Sequence, residues 1–155
     1  IFGATGIVSM SIAFHHQYPP EVVDALASVR PASWRRRFEQ LKKGPHNPAI
    51  PAAITRLDKM VADMNAALDN GPWLIGGPFT LADIALAPYI TRLDHLKFMG
   101  LLDTRPRVLD WYERIQARPG YIEAIASQVN PKYLPLMKEK GTESWPIVKS
   151  LIETD

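Results

Sequence analysis

The stretch Gly76-Gly77-Pro78-Phe79-Thr80-Leu81-Ala82-Asp83-Ile84-Ala85-Leu86-Ala87-Pro88 leaves this chain few folds to choose from. A loop turns abruptly into a helix with little polar surface. Thr80 is placed to cap that helix, its hydroxyl accepting from a first-turn N–H that otherwise lacks a partner. Asp83, three residues on, can reach back to the Thr80 amide and also favours the positive end of the helix dipole. Phe79 and Ile84 occupy the two positions of a hydrophobic staple, which sets the angle of entry. From Leu81 to Leu86 the only charge is Asp83. A helix apolar on every side is expected inside a core, with neighbours all round it.

Periodicity elsewhere supplies those neighbours. Ile50, Ile54, Leu57, Val61, Met64 and Leu68 recur in steps of four and three, which predicts a core-facing helix from Pro51 to Leu68, ended by Asn70-Gly71-Pro72. Upstream, a flexible lead is expected to enter a helix over about Gly6–Gln17 that offers Ile7, Met10 and Phe14, with Val8 and Ile12 on a neighbouring stripe. Gly3-Ala4-Thr5-Gly6 lacks the preceding strand and third glycine of a dinucleotide turn. Past Pro19-Pro20 a helix from Glu21 to Val29 is expected to carry Val22, Ala25, Leu26 and Val29 on one side, and Ser33 to cap a short segment holding Trp34, Arg35-Arg36-Arg37 and Phe38. Pro88 lies within the central helix, where it cannot donate to Ile84 and a kink is expected, and the helix is predicted to reach about Met99 and stop at Gly100. Pro106 opens the next helix, burying Val108, Leu109, Trp111 or Tyr112, and Ile115. The tail after Asn130-Pro131 is apolar enough to pack back on the bundle. No segment alternates with a period of two, so the fold is all-α, a helical bundle around the helix that starts at Thr80.

Composition narrows the chemistry. The chain has 155 residues, 46% hydrophobic and 22% charged, with a net charge of +2 and no cysteine. Disulfides, thiolate metal sites and a cysteine nucleophile are thereby excluded, and a reducing compartment is compatible. Nothing in the charge points to nucleic acid, and no apolar run has the length that crosses a bilayer. His15 and His16 are adjacent and diverge on a helix, while His46 and His95 are isolated, so no metal site is expected. The Arg35–Arg37 cluster reads as a solvated face, with anion or acidic-partner binding as the other reading. Nucleophile elbow, Walker loop and H-E-x-x-H motifs are all missing, so no catalytic residue is assigned. Asp83 reads as a cap, and removing it is expected to cost about 1–2 kcal/mol.

Gly76 to Ile84 closely resembles the G-x-x-[FY]-[ST]-x-A-D-[IV] signature of the C-terminal helical domain of glutathione transferases. The run Pro106-Arg-Val108-Leu-Asp-Trp111-Tyr-Glu-Arg-Ile115-Gln-Ala-Arg118-Pro119 is similar to the same family's P-x-[VL]-x-x-W-x-x-x-[IV]-x-x-R-P segment. The likeness covers about residues 50–126, and all of 1–155 is expected to form one such domain, with 19–48 an elaborated insertion and 128–155 the returning tail. The resemblance implies a role in a cytoplasmic, homodimeric detoxifying enzyme that adds glutathione thiolate to an electrophilic carbon. It also implies that a thioredoxin-like domain, which Ile1–Asp155 lacks, holds most of the glutathione, and that this chain, a fragment or processed product, is inactive alone. Met10, Phe14, Tyr18 and Trp145 are then the candidates for contact with a small hydrophobic electrophile. The insertion resembles that of bacterial members, including those cleaving aryl ethers. Translation factors and aminoacyl-tRNA synthetases use similar helical domains, which implies a non-catalytic interaction module as the alternative.

Overall fold

The computed structural model describes residues 1–153, without the side chains of His15 and Trp34. The expectation for Trp34 therefore lies outside the described residues. These residues form eight α-helices and no strand. Helices α1 (Phe2–Ile12), α2 (Pro20–Ser28) and α3 (Ala32–Leu41) lead into the long α4 (Ile50–Ala67). Then come α5 (Leu81–His95), α6 (Pro106–Gln116), the short α7 (Pro119–Ala124) and α8 (Tyr133–Ile152).

The centre is built from α1, α4, α5, α6 and α8. The α4 stripe is buried as its spacing requires, from Ile50 through Ile54, Leu57, Val61 and Met64 to Leu68. Along α1 it is Ala4, Val8 and Ile12 that face α4, with Ser9 and Ser11 also buried, while Ile7, Met10 and Phe14 are half-buried at its flank. The helix begins at Phe2, so Gly3 and Gly6 lie within it and no flexible lead is present. Asn47 ties the following loop down, donating from Nδ2 to the Ser11 hydroxyl at 2.8 Å and accepting from the Ala49 N–H at 3.0 Å. A buried serine on α1 is thus matched by an asparagine brought back from the α4 entry, a pairing that periodicity does not reveal.

In the insertion, the apolar side of α2 marked by the sequence is the one left exposed. In α2 it is Val23 and Ala27 that go inside, while Val22, Leu26 and Val29 face solvent. Helix α3 starts at Ala32 with Pro31 before it, which puts Ser33 in the first turn and leaves it no capping role. Arg35, Arg36 and Arg37 are exposed.

Helix α5 follows Thr80 and continues through Pro88, but it ends at His95, not near Met99. Lys97 takes a left-handed φ of 59°. Its N–H donates to the Asp94 carbonyl at 3.0 Å, and the Phe98 N–H to the Leu93 carbonyl at 2.8 Å. That pair of bonds is a Schellman stop with lysine where glycine is usual. Phe98, fully buried, supplies the apolar contact that holds the chain in this conformation. Gly100 serves a different purpose, since a Cβ there would stand 2.1 Å from the Trp145 ring.

Helix α8 crosses α4, α1 and α5 and buries Met137, Gly141, Ser144 and Val148. Gly141 sets the depth of the crossing, because a Cβ on it would lie 1.9 Å from the Leu96 carbonyl oxygen. Gly141→Ala is expected to destabilise the chain by about 1–3 kcal/mol through overpacking, read as a lower urea midpoint. Lys97→Gly should raise stability by about 0.5–1 kcal/mol, since it relieves a left-handed residue without removing a core contact.

Candidate functional site

The central helix is organised by one buried carboxylate. Asp83 is wholly inaccessible to solvent. Its Oδ2 accepts from the Thr80 N–H at 2.9 Å and the Thr80 hydroxyl at 3.2 Å. Its Oδ1 accepts from the Leu74 N–H at 3.0 Å and from the Trp111 indole Nε1–H at 2.8 Å. Thr80 in turn accepts from the Ala82 N–H at 3.3 Å, completing the capping box. Burial pushes the Asp83 carboxyl up, but the donors from Leu74, Trp111 and Thr80 outweigh it and bring the group below its ordinary value. Asp83 is therefore ionised and fully engaged, which suits a structural pin and not a proton acceptor.

Around this pin the loop before α5 and the turn after α6 are stacked together. Gly76, at φ 88°, closes a turn in which it exchanges backbone hydrogen bonds with Trp73 at 2.9 and 3.1 Å. The Trp73 ring meets Phe79 edge-on at 5.0 Å, and the Arg118 guanidinium lies 3.6 Å from the Phe79 centroid. Phe79 and Ile84, the two staple positions, border one shallow hollow of about 260 Å³ with Ile115 and Tyr121. On the next turns Thr91, Tyr121 and Tyr112 form a hydroxyl chain at 3.0 and 3.2 Å. Burial raises the Tyr112 phenol far above its usual range, so it stays protonated at any working pH.

The expectation that α5 is enclosed all round does not hold at its first turns. Asp83, Ala87, Ile90, Thr91 and Leu93 are buried, but Leu81 is 80% and Ile84 53% exposed. Leu81 and Ile84, three residues apart, share one side of the helix, and Ile75 and Ile122 are exposed as well.

Of the candidate contact residues, the fold brings two together. Met10 and Phe14 border a groove of about 350 Å³ between α1 and α5, with Ser9, Tyr89 and Arg92. Phe14, Pro88 and Arg92 also border a second hollow of about 370 Å³, which continues towards Tyr133 and Met137 of α8. Tyr18 lies elsewhere, half-exposed beside Pro20, Val23 and Lys42. Trp145 packs on Phe98 at 5.5 Å over Gly100, which makes it an anchor for α8. Sequence reasoning missed Arg92, although it is the sole cation between Leu81 and Asp94. Among the described residues no group of histidine, aspartate and glutamate could hold a metal ion, and no helix is long and apolar enough to cross a membrane. The His15 side chain lies outside the described residues; His16 and His46 are exposed, and His95 is half-buried.

Residues 47–114, which contain the capped helix and the tryptophan that bonds to it, match the family described as glutathione S-transferase, C-terminal domain. Over these residues the chain carries the C-terminal domain of that family. Its domain is 28% identical over 110 residues to a glutathione S-transferase-like protein, tpcF, of Aspergillus fumigatus, covering 61% of this chain and 46% of that protein. It is 34% identical over 85 residues to a 2,5-dichlorohydroquinone reductive dechlorinase of Sphingobium indicum, covering 52% and 25%. A third relative is the disulfide-bond oxidoreductase YfcG of Escherichia coli, 34% identical over 80 residues, covering 49% and 36%. The chain thus spans less than half the length of each of these relatives. No solved structure matches it significantly.

Because Asp83 holds two buried donors from outside its own cap, its removal costs more than a surface cap. Asp83→Ala is expected to lower stability by about 3–5 kcal/mol, not the 1–2 that the motif alone implies. A carboxyl depressed on folding stabilises above its unfolded pKa, about 3.9, and that contribution is lost as pH falls through the folded value. The stability gap between wild type and Asp83→Asn should accordingly shrink below about pH 4, measured by urea denaturation across pH.

Proposed function

We propose that this domain forms one wall of a site for a small apolar electrophile in a glutathione transferase. The observation that carries the reading is the position of Met10 and Phe14. Met10 lies on α1 and Phe14 in the turn just after it, both half-buried, beside a groove and not in the sealed centre. Rigid apolar walls with a few polar groups are the usual make-up of small-molecule sites. In the complete protein, the thiolate of glutathione attacks an electrophilic carbon, a carbon–sulfur bond forms and the leaving group departs with its electron pair. A thioredoxin-like domain would hold most of the glutathione and supply the hydrogen bond that keeps its sulfur ionised. The exposed side of α5 that carries Leu81 and Ile84 supports such a neighbour, since adjacent apolar side chains favour cover. A cytoplasmic, homodimeric enzyme with a detoxifying role, aryl-ether cleavage included, is the fuller form of the same proposal.

A second reading rests on α2. Its solvent-facing Val22, Leu26 and Val29 lie along one helical stripe, which suits a protein contact, whether between subunits or in a non-catalytic assembly module. The two readings separate in one assay. In a longer protein carrying this domain, Phe14→Ala should raise KM for an aryl halide about five- to tenfold and leave KM for glutathione unchanged. The 155-residue chain alone should conjugate nothing above a buffer blank. A well-folded longer protein without conjugation, or a Phe14 effect equal on both substrates, overturns the first reading.

A further inference from the structure

The groove between α1 and α5 is not lined by apolar groups alone. Arg92 lines both this hollow and the one that continues to α8. Its guanidinium is half-buried, lies 5.3 Å from the Phe14 ring centroid and donates to the Met137 thioether at 2.7 Å. A ring face and a sulfur are weak partners for a desolvated cation, and among the described residues no carboxylate pairs with it. Burial lowers its pKa, as expected of a cation without a counter-charge. The neighbouring groups do not supply one. Asp94 is turned to Lys97 at 3.7 Å, while burial and the field of Arg92 lower the His95 pKa and leave its ring neutral at pH 7. Lys138 only adds positive potential on that side.

A second polar group shares the groove. Ser9 is 5% exposed, and its hydroxyl has no hydrogen-bond partner among the described residues. A buried hydroxyl left open costs free energy unless something accepts from it. Arg92 and Ser9 thus both border one small hollow, whose other walls include Met10, Phe14 and Pro88, with the Ser9 hydroxyl buried behind it.

We propose that this groove selects apolar molecules bearing a single negative charge, aryl or alkyl carboxylates, with Arg92 as the counter-charge and the Ser9 hydroxyl as an added donor. The inference rests on the substrate-wall reading above and narrows it to acidic ligands. A planar guanidinium presents paired donors that match a carboxylate, and the low-dielectric walls strengthen the contact.

Two probes of one shape test it on the 155-residue chain: 2-naphthoate and the neutral 2-naphthalenemethanol, titrated by calorimetry. Wild type should bind the anion about tenfold more tightly than the alcohol. Arg92→Met should remove that preference while the alcohol still binds, and Arg92→Lys should retain part of it. Backbone amide shifts of the wild-type protein on adding naphthoate should centre on Ser9, Met10 and Arg92, a readout independent of whether any variant folds. Equal affinity for the two probes overturns the anion preference and leaves an apolar site standing. Amide shifts centred on Leu81 and Ile84, or preference undiminished in Arg92→Met, likewise overturn it. Binding of neither probe removes the apolar-substrate reading together with this one.

Discussion

A single carboxylate with four donors on it fixes the geometry of this domain. Asp83 joins the Leu74 backbone, the Thr80 cap and the Trp111 indole, which come from a loop, a helix start and a different helix. Without it, two buried N–H groups from separate segments would face each other with no acceptor. An ion in that position is tolerated because each lone pair it presents is used, and its net contribution comes from satisfying what would otherwise be stranded. Helix α5 is therefore held at one end by electrostatics and along its middle by Ala87, Ile90 and Leu93 in the core.

That division of labour explains why α5 can border a groove. Its buried side is committed to the bundle, and its N-terminal pin sets the axis. The remaining sides are free to serve as surface. One of them, with Pro88 and Arg92, meets Met10 of α1 and Phe14 just beyond it across a hollow. Another, with Leu81 and Ile84, stays open. A helix with little charge on it can thus be partly exposed without being misplaced, provided one side anchors it firmly.

Several elements were legible because a local rule governs them. The α4 stripe follows from steps of three and four, and the Thr80 cap from the residue types that accept first-turn donors. The stop at Lys97 was not legible, since lysine carries no signal for a left-handed φ. Only the burial of Phe98 makes that conformation favourable. The same holds for α2, where Val22, Leu26 and Val29 compete on equal terms with Val23 and Ala27 for the inner face. Gly100 offered a plausible helix stop, yet its small size is used by Trp145, from a segment far along the chain.

The sequence by itself determined the helical class, the capped start of α5, the inward stripe of α4 and the likeness to a transferase domain. Each depends on neighbours within a few residues, where spacing and side-chain chemistry act directly. Only the tertiary structure decided that Asp83 holds Trp111, 28 residues away, that Trp145 is an anchor, and that Met10, Phe14 and Arg92 share one groove. These pairings arise where separate helices cross, and a crossing depends on the packed volumes of both partners together.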